Sequence, residues 1–406
     1  MALNKFRDRL DQAEHTSALS GHQESFINMT NEEVNEVGRV SIDQLIDVNG
    51  THAFQPPQSG DLRGPCPGLN AMSNHGYIPR NGIVLLADAI TQSNKALSVF
   101  GLAIDTSIVA GSLAVFGADL LAPGIPFSIG GQPTGLSGTH NQFESDTSAT
   151  RGDFYQFNGN NYDVQVRYFK ELYDLQPQDP SANYNQAVLA RHLKTRFQQS
   201  IAENPRFFHG PVQMAVSALT HLLVFGLMAN HSAAQPDGFL QGDVLKSFYG
   251  IATASDGTLS YTRGHERIPD NWYRRPVSNE YSSAGVVPDF AALLLITPEI
   301  LAMGGNTNGT NTYAPLNVSS LTGGVYSAES LLVGNNAACF LFQALTILFP
   351  DVLNGVLGVV QGVVQGVVQG VIASFSSATT SMLAGLTCPQ LTSIDKSVLE
   401  QYPGYK

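Results

Sequence analysis

The sequence predicts a mainly α-helical protein with few or no strands, built as one compact domain behind a polar arm. Three observations carry that expectation. Residues 83–103 (IVLLADAITQSNKALSVFGLA) set apolar side chains at steps of three and four, the spacing that lines one face of a helix. The run from Ala96 to Ala122 is long enough to span a membrane. Asp105, Asp119 and its repeated Gly and Ser steps instead point to a buried helical pair, and against membrane association. A hydrophobic content of 43% in 406 residues is also enough for a sizeable core.

Residues 1–57 are polar and end in Gln55-Pro56-Pro57, so they read as an arm, with a short helix expected around Ser41–Asp47. Residues 58–406 read as the domain. Within it, Cys66 stands between two prolines in RGPCPGLNAMSNHGYIPRNG, residues 63–82. Proline suits the first position of a helix, which makes Cys66 the N-cap of Gly68-Leu69-Asn70-Ala71-Met72, closed by Gly76 and Pro79. There the sulfur faces free backbone N–H groups and the positive end of the helix dipole, which favour its thiolate form. A buried structural thiol and a metal ligand both remain open on these residues alone. Near the C-terminus, residues 355–370 repeat Gly-Val-Val-Gln every four residues. On a helix these stripes drift by about 40° per repeat, which favours a buried helix inside the Cys339–Cys388 loop and leaves open a homodimer or membrane-surface contact through small-residue faces, or a slack insertion.

Composition narrows the function. Only 13% of residues are charged, about half the usual share, and the net charge is −12 with no basic cluster, which excludes nucleic acid as a partner. The first thirty residues lack the apolar segment of a signal peptide. Sequons at Asn28, Asn49, Asn230, Asn308 and Asn317 favour a secretory-pathway protein whose signal is absent from this chain, the alternative being an intracellular one. No CxxC or CxxH zinc pattern is present. Cys339 and Cys388 enclose a long loop that a disulfide would constrain; two buried thiols are the other reading.

Gly60-Asp61-Leu62-Arg63-Gly64-Pro65-Cys66-Pro67-Gly68-Leu69-Asn70 and His75-Gly76-Tyr77-Ile78-Pro79-Arg80-Asn81-Gly82 closely resemble the proximal loop of fungal haem-thiolate peroxidases. The likeness is greatest to the long-chain unspecific peroxygenases, relatives of fungal chloroperoxidase. The resemblance implies haem b, with Cys66 as the axial thiolate ligand of its iron. Residues 143–153 (FESDTSATRGD) resemble the family's acidic motif, which holds a hard cation beside a haem propionate. Carried over, the ligands are Glu144, the backbone oxygen of Ser145 and the Ser148 hydroxyl, with Mg2+ as the expected ion; an all-oxygen shell suits it. Phe143 matches a position that lines the substrate site. Residues 200–205 and 243–248 align more thinly, and Cys339 and Cys388 fall where long-chain members have a disulfide.

The resemblance implies peroxide as oxidant and a small apolar or aromatic organic substrate; residues 96–122, a region that helps wall the haem channel in the family, predict an apolar access route by their Ala, Val, Leu and Phe content. It breaks at the distal acid–base pair. The arginine position is Gln213 and the glutamate position Thr220, neither of which can shuttle a proton, and the histidine of short-chain relatives is replaced by Ser145. A one-residue slip brings His221 to the glutamate position; His209 and His140 are the other nearby imidazoles. Three functions follow: a peroxidase or peroxygenase, with fungal secondary metabolism as its setting; a haem-thiolate enzyme without the usual peroxide acid–base pair, catalysing a specialised rearrangement, dehydration or coupling; and a non-catalytic haem-binding protein.

Overall fold

The computed structural model describes residues 44–84, 99–103, 127–128, 140, 145–357 and 363–405. Its helices begin and end where local chemistry directs. α1, Pro67–Asn74, starts with proline at its first position behind an extended Cys66. It stops at His75, and Gly76 follows at φ 70°. α2 is Val166–Tyr173. α3, Gln186–Glu203, is capped by Asn185, whose side chain accepts from the Val188 N–H at 3.1 Å, and it ends before Pro205. α4, Pro211–Met228, again takes proline at its first position. Then come α5 (Gly242–Phe248), α6 (Ser283–Ile296), α7 (Val318–Leu321), α8 (Asn336–Leu357) and α9 (Val363–Leu383).

The core is a packing of α3, α4, α6 and α8, with α9 laid on α8. α4 is apolar enough along its length to cross a membrane, yet most of it is buried in this packing, as a central helix that is hydrophobic on nearly every face must be. The strands are few and short. β1 (Ile83–Val84) pairs antiparallel with β2 (Phe127–Ser128). β3 (Phe208–His209), which leads into α4, belongs to a three-stranded sheet with β6 (Gly304–Asn306) and β7 (Tyr313–Pro315). β4 (Ile251–Thr253) and β5 (Leu259–Tyr261) form a hairpin. At Gly304, φ 159°, a Cβ would lie 2.2 Å from the Ala314 carbonyl oxygen, so the β6–β7 pairing requires glycine there.

Local expectations fare unevenly. The helix expected from residue 83 does not begin there: Ile83 and Val84 are strand, because Asn81 and Gly82 form a turn whose Asn81 side chain takes the Ile83 N–H. Residues 85–98 and 104–122, with the expected helical pair, lie outside the described residues. Of the helix expected around Ser41–Asp47, the described part keeps only Gln44 in a 3-10 turn; from there the chain extends, Leu45 bridging to Tyr273 and the Ile46 N–H donating to the Trp272 carbonyl. Ile46 and Val48 are buried in the core, His52 stacks on Tyr77 with ring centroids 4.0 Å apart, and Arg80 donates to the Thr51 and Ala53 carbonyls. Thus residues 44–57 lie against the domain, and residues 1–43 of the expected arm lie outside the described residues.

Cys339 and Cys388 form a disulfide with Cα atoms 5.5 Å apart, across the base of the α8–α9 pair. The Gly-Val-Val-Gln repeat spans the end of α8 and the start of α9, residues 358–362 lying outside the described residues.

Candidate active site

Cys66 is the free cysteine, half-buried at the N-terminus of α1. Asn70, one turn into α1, clasps the loop before it. Its Oδ1 accepts from the Gly64 N–H at 3.0 Å, and its Nδ2 donates to the Gly64 carbonyl and to Glu266 Oε1, both at 2.9 Å. Asn74, a turn further on, takes two bonds from Arg63 and donates to the Gly264 and Glu266 carbonyls at 2.7 and 2.8 Å. Arg151 donates from Nε to the Pro65 carbonyl at 3.0 Å. Burial pushes the Cys66 thiol up, against the pull of the Leu69 and Gly68 amides and the Arg151 charge. Tyr249, beside Arg151, is pushed up to about 12 by burial.

The loop carrying the acidic motif runs beside α3. Ser145 is buried, and its hydroxyl donates to the Asp146 carbonyl; Ser148 Oγ accepts from the Arg151 N–H. Glu144 and Phe143 lie outside the described residues. The described carboxylates are engaged by protein donors: Asp146 by Phe154 N–H and Asn204, Asp153 by Arg196, Asn204 and the Thr147 N–H. Arg196 also donates to the Ser148 carbonyl and lies over the Tyr168 ring at 3.4 Å. Held this way, Thr147 takes φ 67°, a strained setting for a β-branched residue. His140 stacks on Phe154 of the same loop, ring centroids 4.4 Å apart.

The distal candidates share α4 but face different ways. Gln213 is buried and turns back, its Oε1 accepting from the Gly210 N–H at 3.1 Å, so it caps the helix. Thr220 is exposed beside half-buried Leu219 and Leu223, and its hydroxyl donates to the Ser217 carbonyl. His221 points inward. Its Nδ1 lies 2.8 Å from the Ser217 carbonyl, its Nε2 has no hydrogen-bond partner, and its ring sits 5.8 Å from that of His192 on α3. A carbonyl only accepts, so Nδ1 carries the proton and Nε2 is the basic nitrogen. Burial holds His221 down to about 4. His209 is buried in β3 with Nε2 on the Ile300 carbonyl, wedged between Phe197 and Phe207.

A family model described as peroxidase, family 2, matches residues 52–277. The chain is 41% identical to a dothistromin biosynthesis peroxidase of Dothistroma septosporum, across 98% of this chain and 93% of that one. The chain belongs to the fungal haem-thiolate peroxidases. It is also 34% identical to an aromatic peroxidase of Fusarium equiseti over 89% of this chain and 85% of the relative. An aromatic peroxygenase of Cyclocybe aegerita is 29% identical over 58% of this chain and 61% of its own length. As a member of this family the protein is an oxidoreductase acting on peroxide, which sets aside a purely non-catalytic role.

A haem-thiolate peroxidase implies haem iron held by cysteine, and the residues here fit that group. Cys66 is a free sulfur at a helix N-terminus, and Arg151 beside it has two buried guanidinium nitrogens without hydrogen-bond partners, a setting made for an anionic ligand. Gly68 keeps the backbone open there: a Cβ would meet the Phe100 ring at 3.2 Å. Reading the sequence singled out Cys66 and missed the groups behind it, Arg63, Asn70, Asn74, Arg151 and Glu266. The asparagines do sit one turn apart on one face of the predicted helix, a usable signal, but nothing local marks Glu266 as their partner.

Proposed function

We propose that this haem-thiolate peroxidase uses hydrogen peroxide to oxidise or oxygenate an aromatic or apolar substrate in fungal secondary metabolism, with Cys66 as the iron ligand. The observation that carries the reading is the free sulfur of Cys66, aimed from a helix N-terminus and backed by buried charge. The match to the dothistromin biosynthesis peroxidase over nearly the whole chain supports the biosynthetic setting, and the names of the aromatic peroxidase and peroxygenase support the substrate class.

Bound at Cys66, haem would supply O–O bond cleavage, which thiolate ligation favours. The chain's own residues supply the rest. Pro65, Pro67 and the Asn70 clasp fix the direction of the sulfur, and the α1 amides and Arg151 stabilise its charge. By the family resemblance, Glu144, the Ser145 carbonyl and the Ser148 hydroxyl would hold a hard cation such as Mg2+, and Phe143 would stand beside the substrate. Gln213 and Thr220 occupy the acid–base positions without ionising. His221 is the base, since it is neutral at pH 7 and keeps Nε2 open to accept the peroxide proton.

The test is the absorption spectrum of the reduced, CO-bound protein. A band at the thiolate position in the wild type, lost in Cys66→Ser, is expected; an imidazole-type spectrum overturns the assignment.

A further inference from the structure

Behind the Cys66 loop lies a set of buried charges to which the peroxide reaction gives no direct part. Arg63, Arg151 and Glu266 are 6%, 3% and 0% exposed. Arg63 is fully engaged, with Nε and Nη2 on Asn74 Oδ1 and Nη1 on the Leu62 carbonyl. Arg151 spends only Nε, on the Pro65 carbonyl, and neither Nη1 nor Nη2 has a hydrogen-bond partner. Glu266 complements it: Oε1 accepts from Asn70 and stands 3.6 Å from Arg151 Nη2, while Oε2 has no hydrogen-bond partner.

Guanidinium groups stay protonated in proteins, and an uncompensated buried charge is costly. Two guanidinium groups against one carboxylate leave these three buried side chains with one surplus positive charge. Half-buried Asp61 also acts on Arg63, and an anionic sulfur at Cys66 adds the negative charge that faces Arg151. The pair also grips both sides of the sulfur: Arg151 holds the carbonyl of Pro65, just before Cys66, and Glu266 holds Asn70, which fastens Gly64 to α1.

We propose that Arg151 and Glu266 are a positioning pair that holds the Cys66 loop and, through the opposed charges it places behind the sulfur, sets the reduction potential of the iron. The inference rests on the haem-thiolate reading above. A nearby cation stabilises the electron-richer ferrous state and a nearby anion disfavours it, so the two residues pull the potential in opposite directions.

The test is a redox titration of the haem-loaded wild type and of Arg151→Gln, Arg151→Lys and Glu266→Gln, alongside their thermal unfolding midpoints. Arg151→Gln is expected to lower the potential, Glu266→Gln to raise it, and Arg151→Lys to stay near the wild type. Potentials that stay put or move together, whatever the midpoints do, overturn the pair while leaving the haem-thiolate reading intact. A wild type without the thiolate spectrum overturns both. Should Arg151→Gln not fold, Glu266→Gln decides alone, since glutamine keeps the bond from Asn70; an unmoved or lowered potential then refutes the proposal.

Discussion

α1 and α4 satisfy their polar side chains in opposite ways. On α1, Asn70 and Asn74 reach partners 190 to 196 residues away in the chain, at Gly264 and Glu266. On α4, Gln213, Ser217, Thr220 and His221 each bond to a backbone group three or four residues away on the same helix or its cap. A network closed across the chain resists change, because losing one member strands buried groups elsewhere. A helix whose polar groups satisfy themselves tolerates substitution, since each exchange leaves the neighbours satisfied. On the assignment proposed above, this is a physical reason for a chain to keep the Cys66 loop while exchanging residues on α4.

The largest effect that would break this comparison comes from the sulfur. Cys66→Ser is expected to abolish peroxide-dependent turnover and the thiolate spectrum together; retained turnover would move the iron ligand elsewhere. Next, His221→Ala is expected to lower kcat with peroxide by roughly 10²–10⁴-fold, the usual worth of a general base, with the thiolate band unchanged. An unchanged kcat would make His221 as purely structural as its neighbours on α4.

Between the two helices, the acidic loop is tied to α3 by Arg196 and Asp153, 3.1 Å apart and both fully buried. Asp153→Ala leaves Arg196 uncompensated, and denaturant titration should show a loss of about 3–5 kcal/mol. A loss within experimental error would mean that the loop is held by Asn204 and Asp146 instead.

The smallest effect is acid sensitivity on the α4 side. His209 and His221 are held down to about 4, against 6.5 in an unfolded chain, and His192, which faces His221 with Arg196 nearby, is lowered too. Between pH 6.5 and 4 the unfolded chain therefore binds protons that the fold refuses, so stability is full above pH 6.5 and falls as pH drops through that window. Denaturation midpoints at pH 7 and pH 5 should differ, and His209→Gln should flatten the difference; a pH-independent midpoint would contradict the burial of these rings.

The sequence alone reveals α1 and its N-cap because Pro-Cys-Pro and Gly76 are local punctuation, and a helix start is a local event. It also marks Cys339 and Cys388 as candidates for pairing. It does not reveal Glu266, because His265-Glu266-Arg267 reads as an ordinary polar turn until the fold carries it beneath Asn70. The strand at Ile83 escaped for a similar reason: apolar spacing there matches a helix, while the Asn81-Gly82 turn and its pairing with Phe127–Ser128 decide otherwise. Periodicity cannot show that Thr220 faces outward and His221 inward, although they are adjacent, because one residue on a helix is about 100° of rotation.

The disulfide across α8 and α9 has a consequence for how this protein is made. Maturation has to oxidise two of three thiols while leaving Cys66 reduced. Cys339 and Cys388 are brought together by the packed α8–α9 pair, closing a 49-residue span. Cys66 is set apart at the N-terminus of α1, between Pro65 and Pro67. If this frame keeps the thiols sorted, replacing Pro65 or Pro67 is expected to give mispaired species on a non-reducing gel and a lower haem content by absorbance.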